Sequence, residues 1–175
     1  MWRERDDPST ADPRGSHAGY GRSVPRVPRY LLPSPAIYHV TTRGVARCAI
    51  SRDDDDRRLF LLLLAQATRR TDWDCHAFCL MPNHHHLIVE THSDLLSVGL
   101  RQLNGRYAQA FNERHARSGH LFGDRFAAVV IRDEEHLRAA TEYVLQNPVR
   151  AGLCSRAENW RWSGARGPLS SRRAD

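Results

Sequence analysis

Only Pro82-Asn83 separates one β-rich segment, residues 73–81, from the next, residues 84–91. A connection this short can join only antiparallel neighbours, because parallel strands need a crossover of about a dozen residues or more. The chain therefore contains a hairpin, and the other elements must be arranged around it. A helical pattern lies on either side. Residues 53–70 open with four aspartates and close on Arg69-Arg70, so both ends complement the helix dipole. Acids in a first turn are ordinary dipole partners, which accounts for Asp53 to Asp56 without a metal. Residues 94–115 place Leu96, Leu100, Leu103, Tyr107 and Phe111 three or four apart, on one helical face. A strand over 37–42, closed by Arg43-Gly44, precedes the first helix, and a short strand at 127–131 follows the second. A third helix spans 134–147, with Pro148 and Gly152 helping to end it. The order β-α-β-β-α-β plus a C-terminal helix predicts an α+β fold, a ferredoxin-like split β-α-β sandwich with an antiparallel sheet.

With 175 residues there is room for one full-sized core. Residues 1–35 hold six of the nine prolines and no periodic apolar pattern, and are expected to be a disordered or loosely docked arm. The domain then covers 36–165, and 166–175 form a flexible basic tail. The longest apolar run, residues 59–65, is far short of the roughly 20 residues that cross a bilayer, and no apolar stretch follows the N-terminal charges. No membrane role is expected, and the four cysteines read as reduced thiols of a cytoplasmic, nucleoid-associated protein. Net charge is +6, and every one of the 26 basic residues is arginine. Thirteen of them lie in residues 101–175, against eight acids. Planar guanidinium forks suit phosphate, so the expected partner is a polyanion such as nucleic acid.

The most unusual stretch is His84-His85-His86 at the start of the second hairpin strand. Alternation sends His84 and His86 to one face, about 7 Å apart at Cα, close enough for both to reach one cation. It sends His85 the other way, to the side of Leu87 and Val89, as a neutral histidine with one hydrogen-bond partner or a route to water. On the third helix, Tyr143 and Asn147 are four apart and share a face, which puts a phenol beside an amide. Tyr38 and Tyr107 sit within apolar patterns and read as core. Cys75-x3-Cys79 keeps a zinc reading open, although alternation gives those thiols no reason to converge on His84.

Several motifs now occur in order: Tyr38-His39-Val40-Thr41-Thr42-Arg43-Gly44, Leu80-Met81-Pro82-Asn83-His84-x-His86, Gly105-Arg106-Tyr107, Gly119-His120-Leu121-Phe122 with Arg125-Phe126, and Tyr143-x3-Asn147-Pro148-Val149-Arg150-Ala151-Gly152-Leu153. Together they resemble the single-tyrosine HUH transposases, and within them the REP-associated tyrosine transposase branch, over residues 36–165. The resemblance implies that the C-terminal helix carries the nucleophile, Tyr143. It also implies that His84, His86 and Asn147 hold one divalent ion, Mg2+ or Mn2+, whose donor set of imidazole and oxygen is suitable. A phenol is neutral at pH 7 and benefits from a nearby cation when it attacks phosphorus. The implied activity is a metal-dependent single-strand DNA endonuclease and strand transferase with a 5′-phosphotyrosine intermediate. Its implied substrate is single-stranded or hairpin DNA such as repetitive extragenic palindromes, bound by a monomer or homodimer.

Arg43, Arg101, Arg106, Arg125 and Arg150, with Phe122 and Phe126, offer the charge and stacking surfaces such DNA needs. Trp160-Arg161-Trp162 resembles the aromatic segment that closes the domain and caps its core. One departure stands out: the middle residue of the HUH motif, usually bulky and apolar, is His85. The alternatives left open are a catalytically silent hairpin-binding relative and a zinc protein.

Overall fold

The computed structural model describes residues 33–123 and 125–166. The expected N-terminal arm, apart from residues 33–35, and the basic tail, apart from Arg166, lie outside the described residues. The elements run β1 (Ala36–Arg43), α1 (Asp54–Thr71), β2 (Trp73–Leu80), β3 (His84–Thr91), α2 (Leu96–Arg114), β4 (Ala127–Ile131), α3 (Glu134–Arg150) and β5 (Ser163–Ala165). The strands form one sheet in the order β4-β1-β3-β2-β5, each antiparallel to its neighbours. The first four strands and the two helices between them are the predicted split sandwich. β3, inserted between β1 and β2, forms the hairpin with β2.

Three layers result. On one side of the sheet, α1 and α2 bury Phe60, Leu63, Leu64, Leu100, Leu103, Tyr107 and Phe111 against Tyr38, Val40, Leu87 and Val89. This is the main core, and Tyr38 and Tyr107 belong to it as expected. Gly99 lets α2 approach: a Cβ there would come within 2.4 Å of the Trp73 ring. On the other side α3 presents Ala140 and Val144, four apart, to Ala77, Cys79, Met81, Ile88 and Ile131, and Pro148, a further four along, is buried as well. The two helix layers read opposite registers of the same strands.

Both sides are locked at helix starts. Asp53 caps α1, its Oδ1 accepting from the backbone N–H of Asp55 (3.0 Å) and Asp56 (3.1 Å). Asp56 goes beyond a dipole partner. Fully buried, it accepts from Arg52 N–H (2.7 Å) and from Arg114 at the end of α2 (2.6 Å), and lies 2.9 Å from His115. The first turn of α1 is thereby pinned to the last turn of α2.

Two expectations about elements need correction. α3 does not stop at Asn147 but runs through Pro148 to Arg150, with Ala151 N–H bonding back to the Asn147 carbonyl (3.0 Å). Proline's fixed φ is compatible with helix, and its missing N–H removes one bond without preventing the next. The second is a fifth strand absent from the sequence reading. Residues 163–165 pair with residues 77–79 of β2, following the segment in which Trp162 enters the core. Three residues are too few for an alternation signal.

Candidate active site

The register of the sheet brings the histidines to α3. Thr41 of β1 pairs with His86 of β3, and Arg43 pairs with His84. His39, two residues before Thr41, lies on the same face and diagonal to His86. Opposite them α3, capped by Asp133 accepting from His136 N–H (2.7 Å), carries Tyr143 one residue before buried Val144. The ring centroids of His86 and Tyr143 are 6.0 Å apart, those of His39 and Tyr143 5.9 Å, and those of His84 and His86 4.9 Å. Phenol and imidazoles thus come together from three elements of one subunit.

Each ligand candidate has one polar atom engaged. His86 Nδ1 lies 3.0 Å from Thr41 Oγ1 and 3.0 Å from His39 Nε2, whereas its Nε2 is buried with no partner among the described residues. His84 Nδ1 sits 2.6 Å from Asn83 Oδ1. Asn147 donates through Nδ2 to the Tyr143 carbonyl (2.8 Å), which commits its nitrogen to the helix and leaves the oxygen as the atom that could ligate. An orphaned imidazole nitrogen whose ring is already oriented through the other nitrogen is what a divalent ion requires. Desolvation pushes His84 down to about 4, with Arg43 adding to the effect, and holds His86 well below the ordinary range. Burial likewise lowers His39 to about 4, helped by His136. All three rings are neutral at pH 7, the form that can ligate.

Two arginines flank this group. The Arg150 guanidinium lies 4.7 Å from the centre of the Tyr143 ring, and exposed Arg43 ends β1 beside His84. The other proposed DNA-contacting residues are more scattered. Arg101 and Arg106 are exposed on α2, across the sheet, with Arg106 donating to Gln66 of α1 (2.9 Å). Arg125 is exposed just before β4, whereas Phe126 and Phe122 are partly buried against the main core. Arginine spacing carries no information about which sheet face a helix covers.

His85 points away from His84 and His86, as alternation required. Neither the hydrogen-bond partner nor the route to water expected for it exists among the described residues: both ring nitrogens are buried and unpaired, against Phe60 (4.4 Å between centroids) and Phe122 (5.9 Å). Aromatic rings of the main core enclose it, Ser51 and Arg57 line the same small cavity without bonding to it, and burial drives it down to about 3.

The zinc reading fails on geometry. A register shift between Cys75 and Ala77 turns Cys75 toward the main core while Cys79 faces the α3 cluster, so the two thiols lie on opposite sides of the sheet. Burial also raises them to about 11 and about 12. At the far end of β3, Asp74, Glu90 and His92 have candidate ligand atoms within 4.8 Å of one another. Arg166 (2.6 Å) and His92 (3.2 Å) already contact Asp74, and His76 (2.8 Å) contacts Glu90, so both carboxylates of this group have partners.

Of the residues in this site, His39 and Thr41 were not singled out for a role by sequence reasoning. Their signal was present in β1, two positions of one parity beside a strand that opens with histidines, but assigning it needed the register. The family model described as "Transposase IS200 like" matches residues 34–147. Among solved structures, the chain is similar to a REP-associated tyrosine transposase bound to a REP hairpin, with a TM-score of 0.64 and 17% identity over 84% of this chain and 82% of that one. It is also similar to a chain described as a candidate transposase from Deinococcus radiodurans R1, with a TM-score of 0.46 and 16% identity over 75% and 97%. At these identities, the first likeness shows the fold. No curated protein matches the sequence.

Proposed function

The chain belongs to the IS200-like transposase family, which makes it a DNA-cleaving transposase, and we propose that it works through a covalent 5′-phosphotyrosyl intermediate on Tyr143. The observation that carries this reading is the Tyr143 ring 6.0 Å from His86, whose Nε2 is buried and unpaired. His84, His86 and Asn147 would hold the divalent ion, Mg2+ or Mn2+. When bound there, it supplies Lewis acidity toward a non-bridging phosphoryl oxygen.

The rest is done by the chain itself. Tyr143 Oη forms a bond to phosphorus as the bond from phosphorus to the 3′ oxygen breaks. The phenolic proton is lost and the leaving oxygen gains one, giving a 5′-phosphotyrosyl enzyme and a free 3′-OH. The phosphodiester is exchanged rather than hydrolysed, so a later 3′-OH can reverse the step and join strands without ATP. Arg150, stacked on the Tyr143 ring, holds the nucleophile's orientation and brings a permanent cation to the incoming phosphate. Arg43 does the same from the end of β1. The approach of Tyr143 to His86 within a single chain, 6.0 Å between ring centroids, is a geometry that can act in cis.

The substrate is single-stranded or hairpin DNA. The charge of +6 carried entirely on arginine supports this, as does the hairpin bound by the similar structure. His85 gives no reason to favour a silent relative, since it lies behind the sheet and does not touch the ligand face. The test is incubation of labelled hairpin DNA with the protein and Mn2+ or Mg2+, followed by denaturation. A protein-DNA adduct is expected. Loss of the adduct in His84→Ala and a milder loss in Asn147→Ala, where water can replace a neutral oxygen, would support the ligand set. A wild-type protein that binds the hairpin and forms no adduct with either ion would establish the silent alternative.

A further inference from the structure

His39 has no assigned role in the reaction described above, yet it is the side chain through which the two halves of the site meet. It is buried on β1, 3.0 Å from His86 Nδ1 through its Nε2, with ring centroids 5.1 Å from His86 and 5.9 Å from Tyr143. A histidine that ligates through Nε2 carries its proton on Nδ1 and must find an acceptor for it. Thr41 Oγ1 and His39 Nε2 are the two acceptors within reach, one directly opposite His86 in the register and the other diagonal. The lone pairs of the threonine oxygen turn with its hydroxyl rotor, whereas the acceptor lone pair of the imidazole is aimed by a buried ring. The T-shaped contact of that ring with Tyr143, at 67° between planes, also fills the space beside the phenol.

We propose that His39 is a positioning residue: it accepts from His86 Nδ1–H, setting the rotation of the ligand ring, while its edge packs the nucleophile against that ring. This rests on the metal-site reading above and assigns to β1 the coupling between ligand and nucleophile.

Three substitutions in the full chain separate the two contributions. His39→Gln can return an acceptor oxygen near the position of Nε2, His39→Phe keeps a ring but no acceptor, and His39→Ala removes both. Titration with Mn2+ alone, followed by calorimetry or loss of the free-ion electron-resonance signal, should show affinity about tenfold lower in His39→Phe and His39→Ala, as for other outer partners of ligating histidines, with Gln recovering most of it. Adduct formation by His39→Phe should recover when Mn2+ is raised, and by His39→Ala only in part, because its tyrosine has lost lateral support. Hairpin affinity should not change in any of them. If Ala fails to fold, the Gln and Phe pair decides the matter. Mn2+ affinity in folded His39→Phe within twofold of wild type overturns the proposal. His86→Ala run in parallel distinguishes the failures: if it too keeps full Mn2+ affinity, the metal-site reading itself is wrong, and if it alone loses affinity, only the role of His39 falls.

Discussion

The two faces of the sheet are built to different rules. Toward α1 and α2 the strands offer Tyr38, Val40, Leu87 and Val89 to a continuous aromatic and aliphatic core. Toward α3 the sheet offers His39, Thr41, His84 and His86, beside a smaller apolar cluster in which Ala77, Cys79, Met81, Ile88 and Ile131 are buried. Three consecutive histidines expose the contrast best. His84 and His86 each keep a polar neighbour for Nδ1 and His86 meets the ring of Tyr143, while His85, between them, is enclosed by phenyl rings with neither nitrogen paired among the described residues. Identical side chains thus act as candidate ligands on one face and as an awkward core residue on the other. One face is optimised for stability, and the other gives up packing to hold polar groups in place.

The sharpest break of that contrast is Tyr143→Phe. Removing one hydroxyl from the α3 face should abolish the covalent adduct while leaving hairpin affinity within about threefold, since no charge is lost. A denaturing gel with labelled hairpin reads both products. An adduct formed by the variant and mapped to Tyr107 would move the chemistry to the wrong face of the sheet.

Next comes stability. Phe60→Ala on the main-core face should cost about 3–5 kcal/mol in urea unfolding, against about 1–3 kcal/mol for Val144→Ala beneath α3. Equal costs would mean that α3 is as much a core element as α1 and α2.

His85 sharpens the comparison through pH. The folded protein keeps it neutral to about pH 3, whereas in the unfolded chain it takes a proton at the ordinary 6.5. Below pH 6.5 the unfolded state binds more protons, so stability falls with pH in that window, and above it this contribution is complete. His85→Val should therefore lose less stability than wild type between pH 6.5 and pH 5, by about 1.5 kcal/mol, with unchanged Mn2+ affinity at pH 7.5. Parallel stability curves for the two proteins would show His85 to be hydrated. A drop in Mn2+ affinity would reverse its face assignment.

The smallest effect concerns the arginines. Arg150→Ala, next to Tyr143, should weaken hairpin binding about tenfold in 50 mM salt, and Arg106→Ala, on α2, by less than about twofold. The opposite ranking would place the DNA over α1 and α2.

Much of this arrangement was legible in the residue pattern because strands alternate and helices repeat. The two-residue hairpin forced the antiparallel pair, period 2 separated His85 from His84 and His86, and the four-residue step from Tyr143 to Asn147 put them on one face of α3. Less legible were features that depend on register. The bulge after Cys75 divides two cysteines that strict alternation would place together. The anchoring of Asp56 to Arg114 and His115 spans nearly sixty residues of sequence, and β5 is too short to show a period.

Sequence alone determined the order of the elements from β1 to α3 and the parity of the β3 histidines, since these follow from local periodicity along one chain, and its ordered motifs carried the resemblance to the family. Only the tertiary structure decided that His39 and Thr41 reach His86, that Arg150 stacks on Tyr143 while Arg106 lies across the sheet, and that His85 has no hydrogen-bond partner among the described residues. Those are contacts between elements, set by which strands pair, in which register and beneath which helix, and a one-dimensional pattern leaves that choice to packing of the whole core.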